Sequence, residues 1–201
     1  MFVKTKTRRL RYYIVKKIAP SLYENGMHYP MRPFTAQLTK QNRTLIGAEV
    51  GVYEGKNAQN ILNNTSTITL YLIDPYEEYE DYPDFKIWKR RPLIEAEAEA
   101  HQRLASYDKQ VVWVRQKFGS LLNYSFPPLD FVYIDGNHKY EYVLEDIQLA
   151  NQIVKVGGLI GGHNYFTTKL FGGVKKAVDY FVKTNNIKLY TRNPDWWFLK
   201  C

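Results

Sequence analysis

The groups able to do chemistry in this chain are a few acids and histidines at the ends of apolar runs. Glu49 and Glu54 flank Gly51 in AEVGVYEGKNA, Asp74 follows TITLYLI, and Asp135 follows LDFVYI. His138 in DGNH and His163 in GGHN come just after later apolar runs. A carboxylate accepts hydrogen bonds from hydroxyls or pairs with a cation, and a neutral imidazole takes a proton near neutral pH. Gly51 and Gly55 would let the backbone turn tightly and approach a ligand. A dinucleotide site instead aims backbone amides at a pyrophosphate and spaces its glycines as GxGxxG. With Glu49 and Glu54 where phosphates would lie, this turn disfavours NAD and suits a ligand carrying positive charge. Asp74, roughly twenty residues on, stands where an acid receives both hydroxyls of a ribose. A nucleoside with a cationic tail satisfies both observations.

Such residues need strand ends to hold them, and the order of elements supplies these. TLIGAEV (44–50) and TITLYLI (67–73) read as buried strands around a helix from about Asn57 to Asn63, a βαβ unit. VVWVR (111–115), LDFVYI (129–134) and GGLIGG (157–162) add three strands. A helix over 140–154 carries Val143, Ile147, Ala150 and Val154 on one face, and one over 172–183 keeps a core-facing stripe through Val174, Ala177, Val178, Phe181 and Val182. IKLYT (187–191) and WWFLK (196–200) close the chain as two strands around the turn residues RNPD, too close together for a parallel crossover. The expectation is an α/β fold, Rossmann-like and doubly wound, with a mostly parallel seven-stranded sheet and an antiparallel C-terminal strand. Ligands of such sheets sit at the carboxyl ends of the strands.

Composition narrows the rest. At 201 residues and 45% hydrophobic content the chain can bury one sizeable core. We expect a basic extension with short helices over residues 1–40 and a ligand-binding domain over 41–201. The one cysteine, Cys201, excludes an internal disulfide framework and a Cys-rich zinc site, which suits a reducing, cytoplasmic setting. No apolar run approaches the length of a transmembrane segment. The net charge of +8 is uneven: residues 1–17 hold seven bases and no acid, leaving 21 basic against 20 acidic residues elsewhere. That arm, with Tyr12, Tyr13 and Ile14 interleaved, could touch nucleic acid or an anionic surface, or be a solvated terminus partly docked on the domain.

In combination these motifs resemble the class I S-adenosylmethionine-dependent methyltransferases over residues 45–200. AEVGVYEGKNA resembles their first motif, LIDPY the ribose motif, and LDFVYIDGNHKYEYVLEDI with GGLIGGHNY the fourth and fifth. The latter phrases are most similar to a small-molecule and sugar-tailoring branch that includes cephalosporin hydroxylase-like proteins and macrolide O-methyltransferases. The resemblance implies S-adenosyl-L-methionine as cofactor and methyl transfer to a hydroxyl of a small molecule or glycan. An RNA or protein methyltransferase using the basic arm, and a non-catalytic cofactor-binding module, are the alternatives. It further implies that Glu49 receives the aminium of the methionine moiety, with Gly51, Tyr53 and Gly55 shaping the loop. Asp74 takes the ribose hydroxyls, Pro75 and Tyr76 border the adenine, and Lys117 or Phe118 lies on its other side. Asp135 lies near the sulfonium and the acceptor.

A hydroxyl acceptor must lose a proton. His138 is the first candidate for the base and His163 the second; for His138 the other role is to orient Asp135 or cap the helix at Tyr140. Asp135, His163 and Asn164 resemble the ligand set of magnesium-dependent O-methyltransferases, with His163 where an acid is expected. One remaining carboxylate is a poor set for a hard cation, whereas a softer divalent metal could use the imidazole. In the insertion PYEEYEDYPDFKIWKRRP, aromatics recur every third residue at Tyr76, Tyr79, Tyr82, Phe85 and Trp88. This suits a lid over the acceptor or a cover for the domain's own edge. The following helix, with Leu93, Ala96, Ala100 and Leu104 on one side, reads as exposed along its acidic face.

Overall fold

Apolar runs rich in Val, Ile, Leu, Phe and Tyr form the central strands because they are covered on both sides, which removes the need for polar alternation. The computed structural model describes residues 31–77, 92–166 and 168–201. The strands are β1 (Leu45–Val50), β2 (Thr67–Ile73), β3 (Val111–Val114), β4 (Leu129–Ile134), β5 (Val154–Gly162), β6 (Tyr190–Arg192) and β7 (Asp195–Leu199). They form one sheet in the order β3-β2-β1-β4-β5-β7-β6. β1 to β5 are parallel, β7 runs against β5, and β6 pairs antiparallel with β7. The expected doubly wound sheet with one reversed strand near the C-terminus is therefore present.

Helices cover both faces. On one lie α4 (Tyr140–Ile153) and α5 (Thr168–Thr184), whose Val143, Ile147, Ala150, Val174, Ala177, Val178 and Phe181 pack on Ala48, Val50, Val132 and Ile134. On the other lie α1 (Pro33–Leu38), α2 (Lys56–Asn64) and α3 (Leu93–Leu104), packed through Phe34, Leu38, Ala58, Ile61, Ala100 and Leu104 on Leu45, Leu70, Phe131 and Tyr133. The helix expected over 93–104 thus closes this face, with Ala96, Ala100 and Leu104 buried.

Three local expectations are altered by packing. Residues 187–189 make no strand, although Ile187 and Leu189 rest on the core. Asp195, read as a turn residue, is the first residue of β7 and fully buried. Its Oδ2 accepts the amide of Phe34 at 3.1 Å and its Oδ1 the hydroxyl of Tyr133 at 3.0 Å. α1 lies on the extension side of residue 40, yet Phe34 is fully buried in edge contact with Tyr133, ring centroids 5.1 Å apart. Tyr79, Tyr82, Phe85 and Trp88 of the expected lid, and the basic arm over 1–17, lie outside the described residues.

Register then aligns the chemistry. Val114, Ile73, Val50, Ile134 and Gly162 are paired in one row across β3, β2, β1, β4 and β5. Asp74, Gly51, Asp135 and His163, each the next residue in its chain, therefore emerge side by side at the carboxyl edge of the sheet.

Candidate active site at the carboxyl edge of the sheet

The edge opens into a cavity of about 360 Å³ lined by the ends of β1, β2 and β4, the segment after β3, and α4. Of the expected cofactor residues, Gly51, Tyr53, Asp74, Pro75, Lys117, Phe118 and Asp135 line it. Glu49, Gly55 and Tyr76 do not. Gly55 begins α2 with φ +71°, and Tyr76 is buried in the core with its hydroxyl donating to the Tyr53 carbonyl at 3.0 Å. Tyr76 therefore braces the loop instead of bordering a base. Glu54, expected near a cationic ligand, pairs with Lys56, and its carbonyl accepts Arg103 Nε at 2.9 Å, which ties the loop to α3.

Gly51 is demanded twice. Its φ is +84°, and a Cβ there would stand 2.3 Å from the Asp135 carbonyl oxygen. The glycine thus serves the close approach of the β1 and β4 ends as well as the turn. Asp74 organises the neighbouring loops: its Oδ2 accepts the amides of Val52 at 2.8 Å and Tyr53 at 2.9 Å, and its Oδ1 that of Tyr76 at 2.8 Å. Burial raises its pKa, and these three amides oppose the rise. Each carboxylate oxygen has two lone-pair directions, so three amides leave acceptor capacity for a diol.

Glu49, the residue of β1 before the cavity-lining Val50, is 1% exposed. Asn57 Nδ2 donates to its Oε1 at 3.0 Å, whereas Oε2 is buried without a partner. Burial pushes its pKa to about 8, against the pull of Asn57 and then Arg32. An unsatisfied buried carboxylate oxygen is costly unless a ligand answers it, and an ammonium group is the chemistry that would.

Around Asp135 the two histidines converge. His138 Nε2 lies 3.4 Å and His163 Nδ1 3.5 Å from Asp135 Oδ1. Burial works against the charge on Asp135, but His163 and His138 hold its carboxyl well below the usual range. His138 is the more enclosed ring, its side chain 7% exposed against 22% for His163, and Asn164 Nδ2 bonds its Nε2 at 2.7 Å. On the other oxygen, Arg32 Nη1 stands 3.9 Å from Asp135 Oδ2 and donates to the Tyr133 hydroxyl at 2.5 Å.

The expected metal set of Asp135, His163 and Asn164 comes together only loosely. The Asn164 amide is turned to His138, a guanidinium occupies one side of Asp135, and a single carboxylate is present. This donor chemistry does not fit a hard divalent cation. Among the described residues no group of three His, Cys, Asp or Glu side chains is arranged to hold a metal ion.

Nothing in the residue pattern marks Arg32, which reaches the site across 101 positions of sequence to Tyr133. Asn57 and Asn137 are likewise unmarked; each is buried with one side-chain atom unpartnered. Asp146 does carry a signal, since the i, i+3, i+4, i+7 stripe from Val143 puts an acid at a core-facing position of α4.

A mostly parallel sheet in this strand order, with acids at the carboxyl ends of β2 and β4 and a buried glutamate in β1, is an α/β domain of the Rossmann-like methyltransferase type. The family model described as "Methyltransferase domain" matches residues 48–165, and the chain belongs to that family. It is a methyltransferase of the S-adenosylmethionine-dependent class. No curated protein sequence matches the chain. Its fold is similar to the O-methyltransferase NovP (17% identity, TM-score 0.62, covering 90% of this chain and 87% of that one). It is also similar to an rRNA methylase from Streptococcus thermophilus (17%, 0.57, 83% and 92%). A third similar structure, from Streptococcus mutans, was solved in complex with SAH (15%, 0.60, 86% and 100%). At these identities the likeness is one of fold. Among the described residues no helix is long and apolar enough to cross a membrane.

Proposed function

We propose that the chain transfers a methyl group to a hydroxyl of a small molecule or glycan, with Asp135 and His163 handling the acceptor's proton. The observation that carries this is the convergence of two imidazoles on Asp135, a carboxylate that lines the cavity at the end of β4. S-adenosylmethionine, when bound, supplies an electrophilic methyl group on its sulfonium. Asp74 would receive the ribose diol, and Glu49 Oε2 the aminium. Asp135, kept ionised, would orient His163 through Nδ1 and stabilise the imidazolium, so that Nε2 on the far side of the ring takes the hydroxyl proton. His138 is enclosed and its Nε2 already meets the Asn164 amide, so it is the less available of the two rings for an acceptor. Most of the rate would come from holding donor and acceptor in line.

The test is transfer of labelled methyl to a panel of hydroxylated small molecules and glycans, with RNA as a separate arm. His163→Ala should lower kcat about 100-fold or more while leaving affinity for S-adenosylhomocysteine within about twofold. An unchanged kcat would remove His163 from the reaction. Transfer to RNA alone, steeply suppressed by salt, would instead favour the basic arm as the substrate grip.

A further inference from the structure

Asp146 is an acid in an apolar stripe, and its surroundings give it a use. It is 6% exposed and lines the cavity, and its side chain makes no hydrogen bond among the described residues. Its Oδ2 lies 3.9 Å from where a Cβ on Gly136 would stand, so the carboxyl head rests against the loop after β4. The same end of the cavity is closed by Phe118, Gly119 and Ser120 after β3 and by Tyr142 and Glu145 of α4. A Cβ on Gly119 would lie 2.6 Å from the Glu145 carboxyl carbon, so this turn sits directly against the Glu145 head of α4. With the ribose held at Asp74 on β2 and the amino-acid moiety toward Gly51 and Asp135, the base has this end to occupy.

We propose that the Asp146 side chain reads the hydrogen-bonding edge of the cofactor's adenine, accepting from the exocyclic amine and donating to the ring nitrogen beside it. This rests on the assignment of the cavity to S-adenosylmethionine. A donor is needed as well as an acceptor, and of the two states of a carboxyl only the protonated one offers both. Burial, reinforced by Glu145, pushes the Asp146 pKa to about 8, which keeps the proton in place near neutrality. Asparagine presents the same donor and acceptor pair, whereas leucine fills similar volume with neither.

Calorimetric titration of the full chain with S-adenosylhomocysteine and with its N6,N6-dimethyl analogue tests this. The wild type should bind the dimethyl analogue about 10- to 100-fold more weakly. Asp146→Asn should keep that discrimination, and Asp146→Leu should bind S-adenosylhomocysteine about 10- to 100-fold more weakly and treat the two ligands alike. Thermal unfolding of each variant separates a binding defect from a folding one. Equal wild-type affinity for both ligands, or wild-type affinity in a folded Asp146→Leu, overturns the proposal while leaving the cavity assignment standing. A folded wild type that binds neither ligand overturns both. Should Asp146→Leu not fold, the asparagine variant decides, and loss of discrimination there overturns the proposal.

Discussion

Glutamine at position 49 should make the ligand-free protein more stable at alkaline pH and weaken its hold on the cofactor. Glu49 is 1% exposed, its Oε2 has no partner, and burial raises its pKa from 4.5 to about 8. Below pH 4.5 folded and unfolded chains both hold the proton, and the residue adds no pH dependence. Between 4.5 and about 8 the unfolded chain releases it and the folded chain keeps it, so stability falls as pH rises. At about 1.4 kcal/mol per pH decade the full interval is worth roughly 5 kcal/mol, an upper bound because relaxation around a buried charge lowers it. Glutamine carries no titrating proton. At pH 5 the two proteins should differ by about 1 kcal/mol or less. At pH 8.5 the variant should lead by several kcal/mol, and each 1 kcal/mol is about 2–4 °C in Tm for a chain of this size. Asp146, also raised to about 8, is common to both proteins and cancels in the difference. Thermal unfolding across pH 5 to 8.5 reads the stability, and calorimetry with S-adenosylhomocysteine should read a loss of about 10- to 100-fold in the variant. A stability difference that is the same at both ends of the pH range would refute the raised pKa, and unchanged ligand affinity would refute the aminium contact.

Asp74→Asn keeps the shape but not the charge, and one of its two heads becomes a donor facing backbone amides. Cofactor affinity should fall by about 1–3 kcal/mol in calorimetry, and unchanged affinity would sink the ribose assignment. Gly51→Ala puts a Cβ 2.3 Å from the Asp135 carbonyl at φ +84°. It should cost about 2 kcal/mol or more by denaturant unfolding and impair cofactor binding as well, because the displaced backbone carries Asp135. Tyr133→Phe removes the hydroxyl that joins Arg32 to Asp195 inside the core. Leaving a buried carboxylate oxygen short of its donor should cost about 1–3 kcal/mol, visible as a lower Tm; a Tm equal to wild type would show that water replaces the bond.

The acids after β2 and β4 were legible because each directly follows a buried run, and the carboxyl edge of a parallel sheet is where such residues gather. The division of labour between the histidines was not. Both follow a strand, His163 directly after β5 and His138 a short loop after β4, and only packing encloses His138 and leaves His163 more open. Tyr76 reads as a wall of the base pocket from its place after Asp74, yet φ +49° at that residue goes with a side chain turned into the core. Asp195 reads as a turn residue beside a proline, and becomes a buried acceptor because α1 and Tyr133 bring donors to it.

By itself the sequence determined the alternation of strands and helices, the mostly parallel sheet, the glycine turn after β1 and the family of the chain. These rest on hydrophobic period and turn chemistry, which act within a window of a few residues. The tertiary structure alone decided that β7 lies between β5 and β6, that Arg32 and Phe34 belong to the site and core, and which carboxylates lose water on folding. Such outcomes depend on groups far apart in the chain, like Arg32 and Tyr133, whose meeting is set by how whole helices pack on the sheet and by the desolvation that follows.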